Sequence, residues 1–304
     1  MNTKQIYKKT MPFVWAKLLI GLITVVLSAV LFALFIGLSW LFNSGGVTLI
    51  LFILWLFAVG FIRFAVMHYM GYLIKAGHIA VITEAVTTGK VPDNQIEYGK
   101  TVVKERFATA NVYFAVDKLV TGAVKQIQHG IEKVGNALDF VPGMDTVTSL
   151  AKLFVDLSLG YIDECCLGYT FYKSEDSAFK SAADGVVIYA QNWKRLLKNA
   201  AKTMIMVILM LAAVTVLCFL VLGILFRLLH WSGSVAFIIS VLIAFAVKFA
   251  FVDSYILIKT MVSYMEVAPD TQITFDLYQK LSDISGKFKE LLKKGQEKRT
   301  GNSI

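Results

Sequence analysis

Charge is scarce in this 304-residue chain: 17% of its residues are Asp, Glu, Lys or Arg, against roughly 25% in an ordinary soluble domain. That deficit accompanies 57% hydrophobic residues and a mean hydropathy of +0.66. Length alone would accommodate about two soluble domains, but this composition points to membrane-spanning helices instead. Proline is reduced to four residues while Phe and Tyr number 22 and 12, which excludes a disordered or collagen-like chain. Three cysteines make no disulfide framework, and Cys165 and Cys166, adjacent in sequence, are too close for an ordinary bridge.

Chemical motifs are missing as well. The four histidines, His68, His78, His129 and His230, are scattered, with none of the HExxH or CxxC spacings that hold a metal. There is no P-loop, no GxGxxG and no Ser in a GxSxG elbow, so phosphate cradling and acyl transfer lack their usual residues. No enzyme, metal site or cofactor is expected. The net charge of +9 comes without a clustered basic face interleaved with aromatics, so no nucleic-acid partner is expected either.

What is present is long apolar runs. A helix crossing a bilayer core needs about 20 apolar residues. Four stretches qualify: Leu18 to Phe42, Val47 to about Met67, Met204 to about Phe226, and Val235 to Ile258. Asn43-Ser44-Gly45-Gly46 joins the first two and His230-Trp231-Ser232-Gly233-Ser234 the last two, so each pair reads as a tight hairpin. The first run is too long for a signal-peptide core, and Phe42-Asn43-Ser44 is a poor cleavage site, so it is expected to stay as an anchor.

Lys and Arg set the expected orientation. They crowd the N-terminus (Lys4, Lys8, Lys9, Lys17), the approach to the third run (Lys194, Arg195, Lys198, Lys202) and the tail (Lys287, Lys289, Lys293, Lys294, Lys298, Arg299), while only Arg227 lies near a hairpin turn. A multi-pass protein with both termini cytoplasmic follows, placed in the cell membrane with the lipid bilayer as its first partner.

Between His68 and Lys202 the charges nearly balance, with 15 Lys or Arg against 14 Asp or Glu. Val116, Val120, Val124, Ile127, Ile131, Val134 and Leu138 recur every three or four positions, predicting an amphipathic helix within Thr101 to Phe140, stopped by Pro142-Gly143. A second helix is expected from about Asp145 through Leu150, Leu153, Phe154, Leu157 and Ile162 towards Phe171, apolar enough for the membrane interface. Cys165 and Cys166 on it could be acylated or be buried reduced thiols. In the tail, Leu277, Leu281, Ile284, Phe288 and Leu291 form either a short heptad seam or the face of a helix packed on the central ones.

The expected architecture is therefore an all-α membrane protein of four transmembrane helices, arranged as two hairpins, with amphipathic cytoplasmic or interfacial helices. Its segments are residues 1–67 (basic start and first hairpin), 68–203 (central helices), 204–265 (second hairpin) and 266–304 (basic tail helix). The hairpins echo one another: Arg63-Phe64-Ala65-Val66-Met67-His68 against Lys248-Phe249-Ala250-Phe251-Val252-Asp253, Leu73-Ile74-Lys75 against Leu257-Ile258-Lys259, and Val91-Pro92-Asp93 against Ala268-Pro269-Asp270. A duplication would relate them by an axis along the membrane normal.

Ionisable residues inside the runs are the candidate site. Each costs about 2.5–3.5 kcal/mol near the bilayer centre on insertion scales, so it normally has a partner or a purpose. Arg63 and Asp253 are expected at similar depth, where an ion pair between hairpins is geometrically open. Lys248 and Asp253, five apart, should lie on different faces of an α-helix. Either Arg63, Lys248 and Asp253 line a polar pathway, or Arg63 snorkels to the interface and Lys248 is paired or neutral. Small-xxx-small pairs, Ala29/Ala33 and Ala246/Ala250, allow close helix contact.

From Tyr161 to Glu266 the chain resembles the C-terminal part of choline transporter-like membrane proteins. The likeness rests on Tyr161-Ile162-Asp163-Glu164-Cys165-Cys166, on Asn192-Trp193-Lys194-Arg195 before a hydrophobic hairpin, and on Asp253 and Glu266. It implies solute transport and transfers no substrate-binding residue. Four helices leave little room for a path inside one protomer, so a channel or transporter for a small solute or ion is expected to be a homo-oligomer. The alternative is a non-transporting scaffold that organises or shapes the membrane.

Overall fold

A computed structural model describes residues 1–66, 71–134, 148–228 and 233–300. The Pro142-Gly143 stop, the helix start near Asp145, Leu138, the His68 end of the internal echo and most of the second hairpin turn lie outside the described residues. Within them the chain is helical, in the order α1 Thr3–Lys9, α2 Met11–Phe42, α3 Gly45–Val66, α4 Tyr72–Thr88, α5 Gln95–Phe107, α6 Ala110–Val134, α7 Thr148–Tyr172 and α8 Ala178–Leu228. There follow α9 Gly233–Val247, a π-helical turn Lys248–Val252, α10 Asp253–Met265, α11 Phe275–Ile284 and α12 Gly286–Thr300. No strand occurs among the described residues.

Four of these helices are long and apolar enough to cross a membrane: Met11–Phe42, Gly45–Val66, Ile208–Leu228 and Gly233–Met265. The chain is an all-α membrane protein. At 1.5 Å per residue the 22 residues of α3 span about 33 Å, the thickness of a hydrocarbon core.

The chain divides into two packed units: Met1–Met11, Ala76–Met206 and Tyr255–Ile304 form one, and Pro12–Lys75 with Val207–Ser254 the other. The first gathers the central helices and the tail, together with residues 255–265 of the fourth apolar helix.

In the first unit α6 buries Val116, Leu119, Val120, Ala123, Val124 and Ile127, one face of a 3.6-residue period. The periodic residues up to Val134 lie in this one helix, which starts at Ala110. Ala108 sits at φ 59°, a left-handed conformation that L-residues with a side chain adopt at a cost, and it divides α5 from α6. Arg106, just before that break, braces the turn between α7 and α8. Its Nη1 donates to the carbonyls of Ser174 (3.1 Å) and Asp176 (2.6 Å), and its Nη2 to Lys173 O (3.1 Å) and Ser181 Oγ (2.8 Å). Carbonyls in such a turn lack helical donors and need other partners, and a guanidinium fork supplies several at once. Burial pulls that guanidinium down to about 10, against the opposing pull of Asp176.

Of the two environments open to α7, its described portion takes the protein interior. Ile162, Cys165, Cys166 and Thr170 are fully buried. Thr121 Oγ1 on α6 donates to Asp163 Oδ2 at 2.6 Å. On the α8 side, a Cβ on Gly185 would stand 2.8 Å from Cys166 O, so only glycine allows the two backbones to meet there. Both thiols are reduced and enclosed, and burial pushes them well above the ordinary thiol range. Neither is accessible for acylation in this packing.

The tail is two helices rather than one, broken at the extended residue Ser285. Both pack on α6. Ser285 Oγ donates to Gln126 Oε1 at 2.7 Å, and Lys287 N donates to the same oxygen at 3.1 Å. Leu281, Phe288 and Leu291 are buried while Ile284 is exposed, so the heptad seam does not persist through the break.

Candidate functional site: charges in the membrane-spanning unit

The second unit is built on helix hairpins. Asn43 turns the first, at φ 41°, and Trp55 of α3 locks it by donating its indole N–H to Ser28 O of α2 at 2.9 Å. Phe219 of α8 and Phe237 of α9 meet edge to face at 5.7 Å. Gly21 of α2 lies against α9 so closely that a Cβ would be 2.9 Å from Ala246 Cβ. Ala246, one of the small residues singled out for packing, thus meets a glycine on another helix.

Lys248 and Asp253 come together. Lys248 Nζ lies 2.8 Å from Asp253 Oδ1 and 3.0 Å from Oδ2. In an α-helix residues five apart diverge by about 140°, and the expectation of different faces rested on that geometry. The π-helical turn corrects it: Asp253 N–H bonds to Lys248 O, an i to i−5 bond that closes a wider turn and brings the two side chains onto one face. Each keeps about a fifth of its side chain exposed (21% and 22%).

Lys17 belongs to the same neighbourhood, which sequence reasoning missed by counting it as part of the basic flank. It is only 4% exposed, donates from Nζ to Ser254 Oγ at 3.1 Å, and stands 6.0 Å from the centroid of the Phe249 ring. The apolar run read from the sequence starts one residue later, at Leu18, whereas the helix itself begins six residues before Lys17, at Met11. Trp15 packs edge to face on Phe251 at 5.4 Å, closing α2 onto the π-helical turn.

Arg63 is not part of this cluster. It is exposed, and among the described residues no ion pair joins it to Asp253. It borders a cavity of about 140 Å³ between α2, α3 and α9, whose lining includes Gly21, Thr24, Val59, Ala246 and Phe249. The Thr24 and Ser28 hydroxyls turn away into their own helix, donating to Ile20 O (2.9 Å) and Thr24 O (2.7 Å).

The first unit has a polar cluster of its own. Asp184 accepts from Lys180 Nζ at 2.5 and 2.7 Å and from the Tyr278 hydroxyl, and Lys180 Nζ also reaches Tyr278 OH at 2.8 Å. Burial and the Asp184 carboxylate push the Tyr278 hydroxyl upward, and the same causes raise Tyr169 to about 12. Every polar atom here serves another, which ties α11 to α8. Arg195 and Glu266, points of the sequence likeness, pair at 3.1 Å with more than half of each side chain exposed, a geometry that contributes little to stability. No cluster of three metal-ligating side chains occurs among the described residues.

Comparison with protein-family models, curated proteins and solved structures returns no match to this chain.

Proposed function

We propose that this protein is a non-transporting membrane scaffold, held by four apolar helices and carrying a packed helical unit. The supporting observation is the Lys248–Asp253 pair at 2.8 Å. The residue that argued most strongly for a polar path is neutralised within its own helix, and Lys17 is engaged beside it by Ser254. Towards the hairpin turns, α2 from Leu18 to Phe42 and all of α9 carry no ionisable residue. A conduit needs polar groups or water along the whole core of about 30 Å. The reading includes no enzymatic activity, and it takes the cell membrane as the location, with both termini cytoplasmic as the lysine distribution leads one to expect.

An oligomeric channel or transporter is the second reading. It is favoured by the residual exposure of Lys248 and Asp253, which a neighbouring copy could enclose, and by the likeness to choline transporter-like proteins. Ion and choline flux from liposomes separates the two. The scaffold reading expects leakage no greater than in protein-free vesicles. A protein-dependent flux that the Lys248→Leu/Asp253→Leu double variant abolishes would replace it with the conduit.

A further inference from the structure

Arg63 stands apart from the other intramembrane charges, and its surroundings describe a ligand. It lies eighteen residues beyond Gly45 on α3, about 27 Å along the axis at 1.5 Å per residue, where a hydrocarbon core of about 30 Å gives way to headgroups. Its side chain is exposed, and among the described residues no carboxylate neutralises it. Immediately beside it is the cavity of about 140 Å³ bounded by Gly21, Thr24, Val59 and Phe249. Because Thr24 and Ser28 direct their hydroxyls to backbone carbonyls, that wall offers hydrocarbon rather than hydrogen bonds. One end of the groove is a cation at headgroup depth, and the remainder is apolar.

We propose that this groove binds one anionic phospholipid, with its phosphate on the Arg63 guanidinium and part of an acyl chain along Gly21 and Val59. A planar guanidinium matches phosphate oxygens in a bidentate fork, and basic pockets between membrane helices hold anionic headgroups. A zwitterionic lipid carries the same phosphate, but its own cation offsets the attraction. The site stands on membrane insertion alone and is independent of whether the protein conducts.

The test is native mass spectrometry of the full chain in detergent, incubated with phosphatidylglycerol or phosphatidylcholine of matched acyl chains. The wild type is expected to retain phosphatidylglycerol in preference. Arg63→Gln should cut that preference about fivefold, while Arg63→Lys keeps most of it. Val59→Trp, which fills the groove and leaves the cation in place, should also lower retention, and it decides the matter by itself if Arg63→Gln does not fold. Equal retention of the two lipids by the wild type would overturn the site, as would unchanged preference in both Arg63→Gln and Val59→Trp. Displacement by inorganic phosphate would equally overturn it, by reducing the site to one for a bare anion.

Discussion

Lys248 and Asp253 each answer the other's main cost. A lone carboxylate or ammonium near hydrocarbon loses its hydration, and removing one member of such a pair strands the other. Lys248→Leu is therefore expected to destabilise the protein by about 1–3 kcal/mol. The double variant Lys248→Leu/Asp253→Leu should recover most of that loss, since no charge then remains to be compensated. Thermal unfolding in detergent micelles reads both. Equal losses in the single and double variants would mean that the carboxylate left behind by Lys248→Leu carries no cost of its own. Ser254 has a different part, as the acceptor for Lys17, and that contact keeps a third ionisable group satisfied close by.

At the scale of elements, the first unit depends on how nearly α7 and α8 approach one another. A side chain at Gly185 would meet Cys166 O at 2.8 Å and Cys166 Cα at 3.1 Å, and backbone atoms cannot step aside as a flexible side chain can. Gly185→Val should cost about 3 kcal/mol. Gly160→Ala on α7, where nothing lies within 4 Å of the added Cβ, should be neutral or slightly stabilising through helix propensity. Denaturation followed by circular dichroism compares the two, and similar losses would show that close approach is not what position 185 requires. The α6 face was legible from Val116, Val120, Val124 and Ile127 because burial imposes a 3.6-residue period. The breaks at Ala108 and Ser285 were not, since neither residue is a glycine or proline and both have remote partners beside them: Arg106 reaching the turn after α7, and Gln126 receiving Ser285. The π-helical turn was equally hidden, because a uniformly apolar stretch shows no period from which a change of winding could be read.

At the scale of the whole molecule, the four apolar helices were legible because hydropathy over about 20 residues is a local property. Their assortment into two units was not, since it turns on contacts such as Gln126 with Ser285 across 159 residues. The lysine distribution makes a sidedness prediction. Ser44→Cys, in the first hairpin turn, should react with a membrane-impermeant maleimide on intact cells, and Asn2→Cys only after permeabilisation. Native thiols add little background, because Cys165 and Cys166 are fully buried and Cys218 lies within the third apolar helix. Labelling of both positions from the same face would remove the first hairpin from the topology.

The π-helical turn at Lys248–Val252 has a consequence for how this chain tolerates changes of length. Such a turn is what a regular helix becomes when it absorbs one surplus residue. Deleting a single residue between Lys248 and Asp253 would let the helix wind normally again. It would also leave the two ions four positions apart, still neighbours on an α-helix, and because the wide turn had absorbed the surplus residue, the residues after it would keep nearly the same helical phase. A one-residue deletion here would thus spare the ion pair and leave Ile256, Leu257 and Met261, which are buried in the helical unit, close to their present faces of the helix. A deletion within α9, where the winding is regular, would instead turn the following residues by about 100°, so length can change at this turn more safely than elsewhere in the fourth apolar helix.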